Sequence, residues 1–235
     1  MNGLVIFIGE SFRLGNQNSR NRGNEKSFDG QMQASNSHID FISKIIDKYE
    51  LNSVSVYISS YNTKYNADLL KIYEKYLIGT TFYDNVIGLN NLFQNSVKKI
   101  ENIENYDFVL YLRIDLFLKP YFTEIFNPKS NMILYPTICW IIWNKICNHP
   151  RVNDTILFIP KKYYKYINNI IIDHNTWYEL MQNTDLTYND MDTMINTYHD
   201  SDSFKDFNPL YYIVNREESK IFHSDGHIFN KNNFN

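Results

Sequence analysis

Two charged residues sit where an apolar strand is expected. The run "DFVLYLRIDLFL" (107–118) is the strongest strand pattern in the chain, yet it carries Arg113 and Asp115 two positions apart. Side chains at i and i+2 of a strand share a face. Burying two charges there is costly unless they pair or bind something. The residue types therefore predict one of two things. Arg113 and Asp115 neutralise each other or a neighbouring strand, or a carboxylate for a divalent metal stands beside a guanidinium for phosphate.

A second polar cluster follows the first strand. "GLVIFIGESFRLGN" (3–16) is an apolar run that ends in Gly9-Glu10-Ser11-Phe12-Arg13. Ser11 at a strand end is a candidate nucleophile. The turn equally suits phosphate binding: Gly9 permits close backbone approach, and the amides of Glu10 and Ser11 can face anionic oxygens. Phe12 is placed either to stack on a base or to sit in the core. Arg20 and Arg22 follow in the same polar loop, 10–27, whose length marks it as functional or mobile. The chain holds six arginines among its 23 basic residues, and four of them fall in these two clusters. Where lysine is otherwise preferred, arginine's planar fork has a purpose; plain solvation of the loop arginines is the alternative.

The elements that must position these groups are legible in outline. Strands are expected at 4–9, 53–60, 86–89, 107–118, 132–136, 155–160 and 210–215. Helices are expected at 29–49, 64–77, 91–103, 161–171, 175–183 and 189–198. Ala34, Ile39, Ile42, Ile45 and Ile46 form the apolar stripe of the first helix. On it Gln31, Ser35 and His38 share another face at i, i+4 and i+7, as a polar face at the sheet edge or as part of a site. The β–α alternation predicts an α/β domain with a central, mostly parallel sheet. Ligands of such sheets bind at the carboxyl ends of the strands, which places Gly9–Arg13, Ser59–Tyr61 and Arg113–Asp115 along one crevice.

This strand and its surroundings carry a resemblance. "YDFVLYLRIDL" resembles the metal-binding strand of GT-A glycosyltransferases, which carries a DxD or related acidic motif. "IFIGESFRLG", "QMQASNSHIDFI" and "DFNPLYYIVNREE" are also similar to glycosyltransferase-like proteins of algae and large DNA viruses. The resemblance implies a GT-A-like (Rossmann-like) α/β fold and transfer of a sugar from a UDP- or GDP-linked donor to a glycan or glycoprotein acceptor. By the same resemblance Asp115 holds Mn²⁺ or Mg²⁺, with His223 or His227 of "FHSDGHIF" completing the site. Arg113 replaces the first acid of the motif, which puts metal dependence in question. Gly9, Glu10, Ser11, Phe12, Arg13, Ser60, Tyr61 and Arg113 would then contact the donor. Asp154, in "HPRVNDTILFIP", is the candidate base for the acceptor hydroxyl, with Arg151 as its orienter; a turn cap is its plain alternative.

Two other classes compete. An SGNH-type serine hydrolase would use Ser11 in "GES" with Asp225 and His227, but the late pair is two apart rather than three and "RVND" lacks the expected Gly. The α/β-hydrolase elbow fails because Arg13 stands at its second Gly. A non-catalytic carbohydrate or nucleotide binder would suit the aromatic content of 16%, which coding bias also explains. The net charge of −3 gives no general attraction for nucleic acid. Cys139 and Cys147 make no disulfide framework, so a reducing, cytoplasmic setting is expected, the host's if the chain is viral. The longest apolar stretch is about 12 residues, too short to span a bilayer. No linker-like stretch interrupts the chain, so one domain over 1–235 with a polar tail from about 219 is expected.

Overall fold

The apolar run after Met1 becomes the interior strand of a sheet covered on both sides. A computed structural model of the chain describes residues 1–15, 20–137, 152, 154–172, 176–195, 210–214, 222–223 and 226–229. In chain order the elements are β1 (Asn2–Ile8), a hairpin of β2 (Arg13–Leu14) and β3 (Asn21–Arg22), and α1 (Phe28–Tyr49). Then come β4 (Ser53–Tyr61), α2 (Asn66–Tyr73), β5 (Leu77–Tyr83), α3 (Leu89–Lys99), β6 (Phe108–Arg113), β7 (Leu116–Leu118) and α4 (Pro120–Ile125). The rest are β8 (Ile133–Tyr135), β9 (Ile156–Pro160), α5 (Thr176–Asn183), β10 (Met191–Thr193), β11 (Tyr211–Val214), β12 (Phe222–His223) and β13 (Gly226–Phe229).

Seven strands form the main sheet in the order β10-β8-β9-β6-β1-β4-β5. β1 runs parallel to both β4 and β6, and β4 parallel to β5. β9 is antiparallel to its neighbours β6 and β8. This is the expected α/β class, a mostly parallel sheet flanked by helices. The unbroken apolar run of β1 reflects burial on two faces. Val5 and Phe7 join the core under α1 with Phe41, Ile42 and Ile45. Leu4, Ile6 and Ile8 join the opposite core with Leu92 and Phe93 of α3. Gly3 keeps β1 and β6 in contact, since a Cβ there would lie 2.3 Å from the Phe108 ring. The stripe of α1 is buried as expected at Ala34, Ile42 and Ile45, and the helix stops at Glu50 in the left-handed region, whose N–H bonds the Ile46 carbonyl.

Four element expectations are corrected. The helix expected over 64–77 ends at Tyr73, and the edge strand is 77–83 rather than 86–89. Leu77 continues the helical spacing, but Ile78, Thr80, Thr81, Phe82 and Tyr83 are strand formers. The segment expected as a helix from 189 begins with a 3-10 turn, Tyr188–Asp190, capped by Thr187, and continues as β10. The strand expected over 107–118 is two strands. β6 ends at Arg113, and after Ile114 and Asp115 the chain enters β7, in a second sheet of order β12-β13-β11-β7. The charged pair thus marks the point where the chain leaves one sheet for another. Among the described residues, no helix is long and apolar enough to cross a membrane.

Candidate functional site

The strand register brings the three polar tips together. Ile8 is level with Ser59 of β4 on one side and Arg113 of β6 on the other. The ladder continues one step beyond β1: Gly9 N donates to Ser59 O (3.3 Å) and Ile114 N to Ile8 O (2.8 Å). Gly9 has φ +123°, which a side chain would strain, and a Cβ there would meet Leu89 at 3.7 Å and Ile114 at 3.8 Å. Leu89 opens α3, so that helix starts at the same edge.

The turn after β1 is held by buried hydroxyls. Ser60 Oγ donates to Gly9 O (2.7 Å), and the Ser11 and Ser60 hydroxyls are 3.0 Å apart. Ser11 N donates to Ser60 Oγ (3.4 Å). Ser11 is 1% exposed; its hydroxyl serves the turn, which does not favour a serine nucleophile. Phe12 is a correction to the base-stacking role. It is fully buried, against Phe28 and Tyr65 at 5.7 and 5.2 Å between centroids, and so belongs to the core. Tyr61 is also buried, and its hydroxyl accepts from Ile87 N and Gly88 N (3.3 Å each) ahead of α3. Burial raises its pKa, with the Glu10 charge adding to that, against the two backbone bonds and Arg20.

Arg113 and Asp115 take the first of the two predicted arrangements. Arg113 Nε donates to Oδ1 (3.0 Å) and Nη2 to Oδ2 (2.8 Å) of Asp115, a bidentate pair. Their side chains are only 7% and 4% exposed. Burial alone would lower the guanidinium's proton affinity, but the Asp115 charge and hydrogen bonds, then the Asp154 charge, raise it. Arg113 therefore stays cationic. Glu10 forms a second pair at the tip of β1, with Arg13 Nη1 2.5 Å from Oε2.

Helix α1 supplies struts to the two turns. Gln31 Nε2 donates to Ile114 O (2.7 Å), and Gln31 Oε1 accepts from Phe12 N (3.4 Å), so one side chain ties the tips of β1 and β6. His38 Nε2 lies 2.6 Å from Leu116 O, and Nδ1 lies 2.6 Å from Tyr73 OH. A carbonyl only accepts, so Nε2 carries the proton and Tyr73 donates to Nδ1. Burial lowers the His38 pKa to about 3, against the Leu116 bond and the Asp115 charge. Ser37 Oγ accepts from Leu118 N (2.9 Å). The i, i+4, i+7 spacing of Gln31, Ser35 and His38 was the sequence signal for this stripe; its purpose lies in carbonyls 78 to 83 positions away.

Asp154 stands next to the same edge. Its carbonyl accepts from Tyr111 OH (2.9 Å), and its charge acts on Arg113. Arg151 and Asp225 lie outside the described residues; His223 and His227 lie in β12 and β13, whose side chains are not described. Both oxygens of Asp115 are engaged by Arg113, and among the described residues no group of three His, Cys, Asp or Glu could hold a metal ion. The described residues do not make a cation site as they stand.

No protein-family model matches this chain, and no curated protein matches it. Among solved structures it is similar to a β1,4-galactosyltransferase 7 variant of Drosophila in complex with manganese, UDP-Gal and xylobiose. The identity is 9% over 94% of this chain and 77% of that chain, with a TM-score of 0.47. It is also similar to a nucleotide-diphospho-sugar transferase of Desulfovibrio desulfuricans G20, at 11% identity over 81% of this chain and 78% of that one, TM-score 0.42. The galactosyltransferase LgtC with donor and acceptor sugar analogues gives 9% identity over 81% and 72%, TM-score 0.41. Likenesses of this degree carry no argument about activity, and the functional reading rests on the site.

Proposed function

We propose that the chain is a nucleotide-sugar-dependent glycosyltransferase. One observation carries this reading: three parallel-strand tips converge on an edge that holds arginines, carboxylates and a glycine-opened turn. That is the position in which an α/β sheet binds a ligand, and arginine forks suit phosphate. The donor's nucleotide lies at the turn that Gly9 opens, beside Glu10; Ser11, Ser60 and Tyr61, at most 2% exposed, shape that turn from beneath. The acceptor is a glycan or a glycosylated protein.

In the transfer, the acceptor hydroxyl oxygen bonds to the anomeric carbon as the bond from that carbon to the donor phosphate oxygen breaks. The electron pair leaves with the nucleoside diphosphate, and the hydroxyl proton passes to Asp154. The transition state is oxocarbenium-like, as in glycoside hydrolysis. Fixed guanidinium charges stabilise the diphosphate as it leaves. Arg113, kept cationic and rigid by Asp115, contributes to that field. Asp115 would hold manganese or magnesium only if Arg113 released it, where the metal would add positive charge beside the leaving diphosphate, and no step above depends on it.

The test is release of nucleoside diphosphate from a panel of UDP- and GDP-sugars, with and without Mn²⁺. Turnover in the wild type and its loss in Asp154→Asn supports the assignment. Absence of turnover with every donor, together with binding of glycans alone, would favour the carbohydrate-binding alternative.

A further inference from the structure

The hairpin after β1 carries more positive charge than its carboxylate balances. Arg13 and Arg22 face each other across β2 and β3. Like charges directly opposite in an antiparallel pair are destabilising, so something must compensate. Glu10 does so in part. Its Oε2 binds Arg13 at 2.5 Å, and its Oε1 lies 3.6 Å from Arg20 Nη1, beyond hydrogen-bond length. Arg22 lies over the Tyr61 ring, 5.0 Å from the centroid, and its Nη2 donates to Asp84 O (2.9 Å). Three guanidinium groups thus gather around Glu10 and Tyr61.

Two buried atoms of this cluster have no hydrogen-bond partner, Glu10 Oε1 and Arg22 Nη1. Glu10 is 8% exposed. Buried polar atoms are seldom left unpaired without a reason. One of these is an acceptor and the other a donor, so a ligand that carries both anionic oxygen and a hydroxyl would satisfy the two together. Arg20, with its side chain 30% exposed, is the open side of the cluster.

We propose that the β2–β3 hairpin is a diphosphate clamp. Arg20 and Arg22 hold the phosphates of a nucleoside diphosphate, Arg13 stays with Glu10 and the Gly15 carbonyl, and Oε1 of Glu10 accepts a hydrogen bond from a hydroxyl of the same ligand. This rests on the nucleotide-sugar reading above and refines it. The leaving diphosphate is gripped from the hairpin, while Arg113 remains with Asp115. Arginine is required rather than lysine because each fork presents parallel donors to two phosphate oxygens.

Calorimetry with inorganic pyrophosphate, UDP and GDP in metal-free buffer tests the clamp, with melting curves to confirm that each variant folds. The wild type binds pyrophosphate and binds one of the nucleotides more tightly. Arg20→Gln and Arg22→Gln each weaken pyrophosphate at least tenfold, and Arg22→Lys recovers only part of the loss. Glu10→Gln narrows the advantage of the nucleotide over pyrophosphate. Should Arg22→Gln fail to fold, the more exposed Arg20→Gln carries the test. Equal binding of the nucleotide by wild type and both glutamine variants overturns the clamp and leaves the transferase reading standing. Pyrophosphate binding that is lost in the variants, in a protein that turns over no nucleotide sugar, keeps the clamp and removes the transferase.

Discussion

Breaking the Arg113–Asp115 pair separates its two roles. The side chains are 7% and 4% exposed and joined by bonds of 3.0 and 2.8 Å. A surface ion pair of the same length contributes about 0–1 kcal/mol. Removing one partner of a buried pair strands the other charge and costs about 3–5 kcal/mol. Asp115→Asn and Arg113→Met should each lie in that higher range. The double variant strands no charge, so its loss should fall short of the sum of the singles by about 3 kcal/mol, the upper range for coupled neighbours. Urea unfolding of the four proteins measures this, with the midpoint shifting and the slope unchanged. Activity then reads the second role: the double variant folds yet transfers sugar poorly, because the fixed guanidinium is gone. Single-variant losses below about 1 kcal/mol that simply add would refute the burial argument. Full transfer by the double variant would remove Arg113 from the mechanism.

Three further outcomes are expected. His38 is neutral in the fold, its pKa lowered from 6.5 to about 3. The unfolded chain therefore binds the extra proton, and stability falls as pH drops from about 6.5 towards 3, by about 1.4 kcal/mol per pH unit from this group. His38→Gln should flatten the stability–pH slope between pH 6 and 4 by that amount, and equal slopes in the two proteins would contradict it. Gln31→Leu leaves Ile114 O and Phe12 N without their buried partner; thermal unfolding should show a loss of about 1–3 kcal/mol, and donor KM should rise because the tips of β1 and β6 are no longer tied. Gly9→Ala forces a side chain into φ +123°, at a cost of about 1–3 kcal/mol, and donor affinity should fall even at temperatures where the variant stays folded.

The parts of the fold that were legible share one physical cause. β1 and β6 lie between two cores, so their sequences carry unbroken apolar runs, whereas β4 mixes serines with its apolar residues. β5 lay hidden because Leu77 extends the spacing of α2, and propensity alone does not say where a helix stops. The switch between sheets at Ile114–Asp115 was visible only as a charge defect in an apolar run. That Arg113 and Asp115 share a face followed from the two-residue period. That they choose each other depends on their burial in the fold, with side chains 7% and 4% exposed, which no local pattern reports. Phe12 shows the same limit: its position at a strand tip fits stacking on a ligand, but Phe28 and Tyr65 cover it. Gln31 and His38 announced a polar stripe by spacing, while their acceptors at Ile114 and Leu116 required the fold. Arg22 could not be assigned to Tyr61 from sequence, since the contact spans two separate elements.

The central claim is that a nucleoside diphosphate binds where the ends of β1, β4 and β6 meet. Titrating the isotope-labelled protein with UDP and with GDP, while following backbone amide resonances, tests it most directly. The account predicts saturable shifts concentrated at Gly9–Arg13, Arg20–Arg22, Ser59–Tyr61 and Ile114–Asp115, with the far ends of the same strands, near Asn2, Ser53 and Phe108, unmoved. Shifts confined to those far ends, or none with either nucleotide, would contradict it.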